Sequence, residues 1–344
     1  MLEMYSTNAI VAKIRSIYGS MLTMDDFREM VSKRSVAEVA DYLSRTPRYA
    51  DILRDIDPNT VHRGLLEQLL DEQNYLTYKR LCEFQGMENR PFYDFQLKKH
   101  ECRQMISLVN AISCGLQEGF VQALPSYLIS DSKIDFLELA RCGTVEEAAA
   151  KLKGTEYFKL FKSFRRTEEG KTDFTDAEIK LRTNLYSCLI EDAKKSGFGK
   201  NCDELLKLIR MEIDAINIIN SYRLKAFFGY EPDEIRKAML PFTQMGKKSM
   251  DRLYNCEKPD KMRDLIGSSV YGRYLNETDE SIEPALLKRT LTTMKHTLAR
   301  LCSAPVALYS FMYICDNEIR NIVRVIEGVR YDIDPAVIYS LLIF

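Results

Sequence analysis

The stretch DFREMVSKRSVAEVADYLSRT, residues 26–46, recurs as DFLELARCGTVEEAAAKLKGT, residues 135–155, without a gap. A third copy, LYNCEKPDKMRDLIGSS at residues 253–269, continues the series with Leu253 aligned to Leu139 and Ile266 aligned to Leu152. Each copy predicts one short helix that leads through a polar turn into a second, and a tyrosine closes each copy. These closing tyrosines are Tyr49, Tyr157 and Tyr271.

The spacing of the copies, close to 110 residues, predicts a chain built from three related units. Their approximate bounds are residues 1–90, 91–205 and 206–344. Units of a repeat that cannot bury their apolar faces alone pack around one another. We therefore expect one body with pseudo-threefold symmetry.

Helical periodicity dominates the sequence between the copies. Apolar residues recur at helical spacing along many segments, for example at Ile10, Ile14 and Ile17 and at Ile209, Ile213, Ile216 and Ile219. Alternation with a period of two is scarce. We predict an all-α chain of about 15 to 20 short and medium helices, given a usual helix length near 11 residues.

Composition and charge narrow the class of protein. The chain has 344 residues, of which 46% are hydrophobic and 29% are charged, so it has enough apolar surface to fold. Its 49 Lys and Arg against 50 Asp and Glu give a net charge of -1, which argues against a protein that tracks along nucleic acid. The segment 303–315 is too short for a membrane span, and the amino terminus does not resemble a signal peptide.

The nine cysteines include no CxxC pair. They are expected to be reduced thiols in a cytoplasmic protein, most of them buried as small hydrophobic residues, as predicted for Cys114 and Cys188.

The segment CDNEIRNIVRVIEG, residues 315–328, contains the most interesting charged residues. On a helix, Arg320 and Arg324 share a stripe with Asn317 and Asn321, and like charges one turn apart cost roughly 0.2–0.5 kcal/mol. We predict that Arg320, Asn321 and Arg324 form a partner-binding site and that the arginines contact acidic groups, on another helix or on a partner protein. Alternatively, Glu327 or a neighbouring helix neutralises them.

This segment matches an earlier one at an offset of 104 residues: Glu318, Asn321 and Ile322 correspond to Asp214, Asn217 and Ile218. The arginines have no basic counterparts there. A role common to all repeats therefore does not need them.

Motifs for catalysis or metal binding are weak. Asp25, Asp26 and Glu29 match the spacing of the DDxxE box with which all-α isoprenoid synthases hold magnesium, although acids after Thr23 also suit helix capping, which we favour. The three histidines, His62, His100 and His296, form no HxxxH or HExxH pair, and no familiar nucleotide-binding loop is present. We predict no catalytic residue, no cofactor and no metal site.

Taken together, the repeats and the segment around Arg320 resemble the C subunit of the V/A-type rotary ATPases, the counterpart of the d subunit of eukaryotic vacuolar ATPases. The resemblance covers essentially the whole chain. It is carried by the pattern Glu318, Ile319, Arg320, Asn321, Ile322, Arg324 and Gly328, by YSTNAIVAKIRSIYGSMLTMDDFREMV at 5–31, and by EIDAINIINSYRLK at 212–225.

The resemblance implies an all-α funnel of three similar units, without a catalytic site, on the cytoplasmic face of the membrane. Its implied partners are the proteolipid subunits of the rotor ring and the D and F subunits of the central stalk, between which it transmits torque for proton or sodium transport. Two other hypotheses stay open on the sequence. One is a magnesium-dependent enzyme of the isoprenoid-synthase type, and the other is a helical-repeat scaffold unrelated to rotary ATPases.

Overall fold

The computed structural model describes residues 2–57, 60–87, 91–256, 258–269, 271–272, 281–300 and 302–344. Over these residues the chain folds into nineteen α-helices and contains no strand, so the predicted all-α class is confirmed. The helices are α1 (Leu2–Tyr18), α2 (Met24–Val31), α3 (Val36–Ser44), α4 (Ala50–Leu53), α5 (Arg63–Gln85), α6 (Phe95–Cys114), α7 (Gln117–Gln122), α8 (Ser126–Asp131), α9 (Phe136–Leu139), α10 (Val145–Lys151), α11 (Tyr157–Lys162), α12 (Phe174–Lys195), α13 (Asn201–Phe228), α14 (Pro232–Lys237), α15 (Lys247–Tyr254), α16 (Pro259–Gly267), α17 (Ile282–Ala299), α18 (Ala304–Arg330) and α19 (Pro335–Ser340).

The chain divides into two compact units. The first comprises residues 1–89, 199–208 and 270–344, and the second comprises residues 90–198 and 209–269. The first unit thus joins the two ends of the chain, and the long helix α13 begins in one unit and continues in the other.

Helix α18 is the central element of the first unit. Of its 27 residues, 21 are buried, including Asn317, Glu318 and Asn321. Asn317 and Asn321, which share the predicted polar stripe with Arg320 and Arg324, are therefore interior residues, because neighbouring segments cover the helix on nearly every side. Its carboxyl-terminal half packs into a core that contains residues of α2, α3, α5 and α19: Phe27, Met30, Val39, Leu43, Leu66, Leu70, Ile322, Ile326 and Ile338.

Gly328 permits the close approach of α18 and α19. A Cβ atom at Gly328 would lie 2.5 Å from Cγ1 of Ile338, which itself is buried. This contact explains why the segment around Arg320 contains a glycine inside a long helix, where glycine is otherwise unfavourable by about 1 kcal/mol.

The repeated stretch folds as predicted, into a pair of short helices in each copy: α2 and α3, α9 and α10, α15 and α16. Equivalent N-caps begin the second helix of the first two copies. The side chain of Ser35 accepts a hydrogen bond from the backbone N–H of Glu38, and that of Thr144 accepts one from Glu147. The three closing tyrosines, Tyr49, Tyr157 and Tyr271, are all buried.

All nine cysteines are free thiols, and five of them, Cys82, Cys102, Cys142, Cys256 and Cys315, are buried as predicted. The two that we singled out behave differently. Cys114 is exposed and Cys188 is half-buried, since α6 ends at Cys114 and only one face of α12 is covered.

Candidate functional site

Four acids are buried among the described residues, and three of them, on different long helices, share one pattern of contacts; the fourth is Asp176 on α12. Glu101 lies on α6, Asp214 on α13 and Glu318 on α18. We call them the anchor carboxylates, because each accepts hydrogen bonds from the segment that leads into a short helix pair. A buried carboxylate is costly unless it is hydrogen-bonded or paired, so this recurrence has a structural purpose.

Glu318 is the most heavily engaged anchor carboxylate. Its Oε1 accepts a hydrogen bond from the Tyr49 hydroxyl at 2.7 Å and pairs with Nε of Arg48 at 2.8 Å, and its Oε2 accepts from the backbone N–H of Leu22 at 2.8 Å. Burial raises the pKa of Glu318, and the contacts with Arg48, Tyr49 and Leu22 oppose that rise. The acid thereby ties α18 to the segment before α2 and to the end of the first short helix pair.

Asp214 and Glu101 make the corresponding contacts in the second unit. The carboxylate of Asp214 accepts hydrogen bonds from the backbone N–H groups of Gln244 and Met245, just before α15. Glu101 accepts a hydrogen bond from the hydroxyl of Ser132 at 2.6 Å, and that hydroxyl accepts one from the N–H of Ile134, just before α9. The internal sequence match aligned Asp214 with Glu318, but it did not identify Glu101 as their counterpart.

The two matched asparagines hold the chain that returns after each helix. The amide of Asn217 donates to the carbonyl of Leu240 and accepts from the N–H of the same residue, both at 2.8 Å. Asn321 makes the same pair of bonds with Ile343, at 2.8 and 3.0 Å. We call this arrangement the asparagine clamp. It accounts for the internal match at an offset of 104 residues.

Asn321 also holds one member of the arginine pair. Nη1 of Arg324 donates to the amide oxygen of Asn321 at 2.9 Å, and Arg324 is half-buried. Burial lowers the pKa of Arg324, and the nearby charge of Arg320 lowers it further, while Glu283 on α17 raises it. The arginine is therefore held in place while its charge is only partly compensated.

Arg320 is exposed, with its guanidinium 5.6 Å from the centre of the Tyr313 ring. Within the described parts of the chain, neither Arg320 nor Arg324 has a carboxylate within 4.0 Å. The proposed neutralisation by Glu327 does not occur there, because Glu327 pairs with Arg63 of α5. The structure thus brings Arg320, Asn321 and Arg324 together, and neither guanidinium group forms an ion pair with an acid of the described residues.

The carboxylates of the DDxxE-like box serve as helix caps and surface ion pairs. Thr23 and Asp26 form a reciprocal capping box at the start of α2, and Asp26 also accepts a hydrogen bond from the hydroxyl of Tyr42. Asp25 pairs with Arg28 and Glu29 with Lys33. The capping interpretation is therefore confirmed, and the box gives no support to a magnesium-dependent enzyme.

Exposed apolar residues follow the carboxyl ends of the long helices α6, α13 and α18. The largest are Phe227 and Phe228, which are 73% and 68% exposed. We call this set the apolar tips: Leu116 and Val121 after α6; Phe227, Phe228 and Tyr230 around the end of α13; and Tyr331, Ile333, Val337 and Leu341 after α18. Exposed apolar groups of this kind mark surfaces for protein or membrane contact when they cluster.

No helix in the described part of the chain combines the length and the apolar character that a membrane span requires.

Known proteins resemble this chain over most of its length. The model of the family described as ATP synthase (C/AC39) subunit matches residues 10–341. The C subunit of the A-type ATP synthase of Pyrococcus abyssi is 22% identical over 342 residues, which cover 96% of this chain and 88% of that protein. That of Methanocaldococcus jannaschii is 23% identical over 350 residues, or 96% and 85% of the two chains.

The C subunit of the A-type ATP synthase of Methanosarcina mazei is 23% identical over 233 residues, which cover 67% of this chain and 62%, less than two thirds, of that protein. The family match, in contrast, includes both the first short helix pair and the arginine pair of α18. The chain therefore belongs to the ATP synthase (C/AC39) subunit family.

Proposed function

We propose that this protein is a non-catalytic rotor subunit of a V/A-type ATPase, which couples the D and F subunits of the central stalk to the proteolipid ring and transmits torque for proton or sodium transport. It would lie on the cytoplasmic face of the membrane, held there by protein contacts. The observation that carries the proposal is the arginine pair of α18, two under-compensated cations on a rigidly anchored helix, in a chain of this family.

Torque transmission requires a body that does not deform. We propose that the three repeats form a funnel with pseudo-threefold symmetry. Support comes from the three anchor carboxylates, Glu101, Asp214 and Glu318, each of which ties a long helix to the segment before a short helix pair. Close packing in the interior adds resistance to deformation.

The arginine pair would contact acidic groups on the central stalk. Arginine suits this role because its planar fork pairs with a carboxylate through two hydrogen bonds. Complementary charge at such a contact sets register and partner choice more than it sets affinity. Asn321, which is buried, would act indirectly by holding Arg324 in position.

The combined change Arg320→Ala and Arg324→Ala is expected to weaken binding of purified D and F subunits by roughly 10- to 100-fold, which corresponds to about 1.4–2.8 kcal/mol. The fold should persist, because neither side chain has an acid within 4.0 Å among the described residues. Titration calorimetry measures the binding, and thermal unfolding measures the stability.

Arg54→Ala provides the matched control. Arg54 is an exposed arginine of the same unit that pairs with Asp51, three residues before it, so its removal should leave stalk binding unchanged. Unaltered binding by the double variant would contradict the proposed site. A clear loss of thermal stability would show instead that acids within the chain are the partners.

The apolar tip of α13, formed by Phe227 and Phe228, would face the membrane sector. Exposed aromatic side chains such as Phe227 and Phe228 supply large apolar areas at an interface, and burial of such a side chain contributes about 1.5–3 kcal/mol. The loops of a membrane-embedded ring are a partner of suitable chemistry. The tip of α13 therefore supports docking on the ring, while the arginine pair supports docking on the stalk.

Replacing Phe227 and Phe228 together by glutamine should release much of the protein from membranes that contain the assembled complex. We expect stability to change by no more than about 0.5 kcal/mol, since both rings are exposed. Cosedimentation with washed membranes measures the effect. Phe174→Gln, at an exposed phenylalanine that begins α12 in the same unit, is the control. Equal retention of the wild type and both variants would refute the assignment.

A further inference from the structure

A cavity of about 250 Å³ lies in the first unit, beside the anchor carboxylate of α18. It is bounded by the loop between α1 and α2, by α17 and α18, and by the last residues of the sequence. The volume is large compared with the roughly 30 Å³ that one water molecule occupies in the liquid. The lining residues that matter for its chemistry are Tyr18, Leu22, Lys295, Asn317, Glu318 and Asn321.

Lys295 places a positive charge on the wall of the cavity. It is half-buried, and among the described residues no carboxylate lies within 4.0 Å of its ammonium group. The acid on the cavity wall, Glu318, is already paired with Arg48 and hydrogen-bonded to Tyr49 and Leu22. The Arg48–Glu318 pair is neutral as a whole, so the charge of Lys295 remains.

Electrostatics at Lys295 agree with this geometry. Burial lowers the pKa of Lys295, and the charge of Glu318 opposes that shift without reversing it. A partly desolvated cation of this kind gains free energy from an anion placed beside it.

A second cation, Arg324, contacts a residue of the cavity wall. Arg324 is half-buried, and it donates a hydrogen bond to Asn321, whose side chain lines the cavity. Burial and Arg320 both lower the pKa of Arg324.

We infer that this cavity is a binding site for one oxyanion, a carboxylate or a phosphate group, with Lys295 as its cationic contact. The anion can come from solution, as inorganic phosphate or a small carboxylate, or from an acidic side chain of another protein of the complex. Both sources present the same chemistry to Lys295. The inference concerns a site separate from Arg320, and its first test uses the isolated full-length chain.

The first measurement is the unfolding temperature of the chain in increasing phosphate, and then in increasing acetate, at constant ionic strength. A ligand that binds only the folded state raises this temperature. We expect a saturable rise of about 2 °C for the wild type and no rise for Lys295→Gln. The control Lys288→Gln, at an exposed lysine of the same helix, should behave as the wild type.

The second measurement identifies a protein-borne anion. In the assembled complex, Lys295→Gln should then weaken incorporation of the protein, and Lys295→Arg, which keeps the charge, should restore it. An anion effect on the isolated chain that Lys295→Gln retains would overturn the inference. The inference would also be overturned if no anion raised the unfolding temperature and Lys295→Gln entered the complex normally. Neither outcome depends on whether the arginine pair binds the stalk.

Discussion

Replacing Glu318 by alanine is expected to destabilise the fold by about 3–5 kcal/mol, the usual cost of removing one partner from a buried ion pair. The change leaves the guanidinium of Arg48 buried without its carboxylate, since the side chains of Arg48 and Glu318 are only 2% and 4% exposed. It also removes the acceptor of the Tyr49 hydroxyl and of the Leu22 N–H. Equilibrium unfolding in urea measures the effect.

Two further variants test whether the loss of stability is specific to the buried ion pair. Asp25→Ala removes an acid whose side chain is 86% exposed and which pairs with Arg28, so it should change stability by less than about 1 kcal/mol. The double change Arg48→Met and Glu318→Leu removes both charges and should regain much of the lost stability, because well-packed apolar replacements of a buried pair are often neutral. A cost below about 1 kcal/mol for Glu318→Ala would show that the pair does not anchor α18.

The short helix pairs were predictable from the sequence because the information for them is local. Ser35 and Thr144 occupy equivalent positions before the second helix of their copies, and each caps the helix within three residues of itself. The apolar positions that recur with them, such as Leu43 and Leu152, are buried as the helical period predicts. Caps and periodicity determine such elements without distant contacts.

The interior position of Asn321 and Glu318 was not predictable in this way. An acid, two asparagines and two arginines on one helix have the composition of a solvated face. The partners that bury them come from distant sequence, since Leu22 lies 296 residues from Glu318 and Ile343 lies 22 residues from Asn321. The internal match with Asp214 and Asn217 was the available signal, because an exposed acid has no reason to recur together with an asparagine.

The ion-pair partners of Arg320 and Arg324 were also not predictable from the sequence. Sequence alone identified Arg320 and Arg324 as residues without basic counterparts in the earlier repeat, but it left open whether Glu327 or a neighbouring helix neutralises them. The answer depended on the position of Arg63 on α5, because Arg63 forms an ion pair with Glu327. Which carboxylate pairs with which arginine is a matter of tertiary geometry rather than of spacing.

The asparagine clamp leads to the second large effect. Asn217→Ala removes both side-chain hydrogen bonds from the backbone of Leu240, which is buried, and each orphaned polar group costs about 1–3 kcal/mol. We therefore expect a loss of about 2–4 kcal/mol, measured by urea unfolding. Asn220→Ala is the matched control, because Asn220 is half-buried on the same helix and alanine favours helix, so its stability should stay the same or rise slightly.

Asn321→Ala should cost less than Asn217→Ala, although the two residues are equivalent in the repeat. The carbonyl of Ile343 also accepts a hydrogen bond from Asn317 at 2.9 Å, so on the Ile343 backbone Asn321→Ala orphans the N–H alone. The other group that loses a partner is Nη1 of Arg324, on a side chain that is only half-buried. A loss of about 1–3 kcal/mol follows, and adding Asn317→Ala should enlarge it by more than Asn317→Ala costs alone. Strict additivity of Asn317→Ala and Asn321→Ala would show that the two asparagines do not share this carbonyl. An equal loss for Asn217→Ala and Asn321→Ala would show that the hydrogen bond from Asn317 to Ile343 contributes nothing.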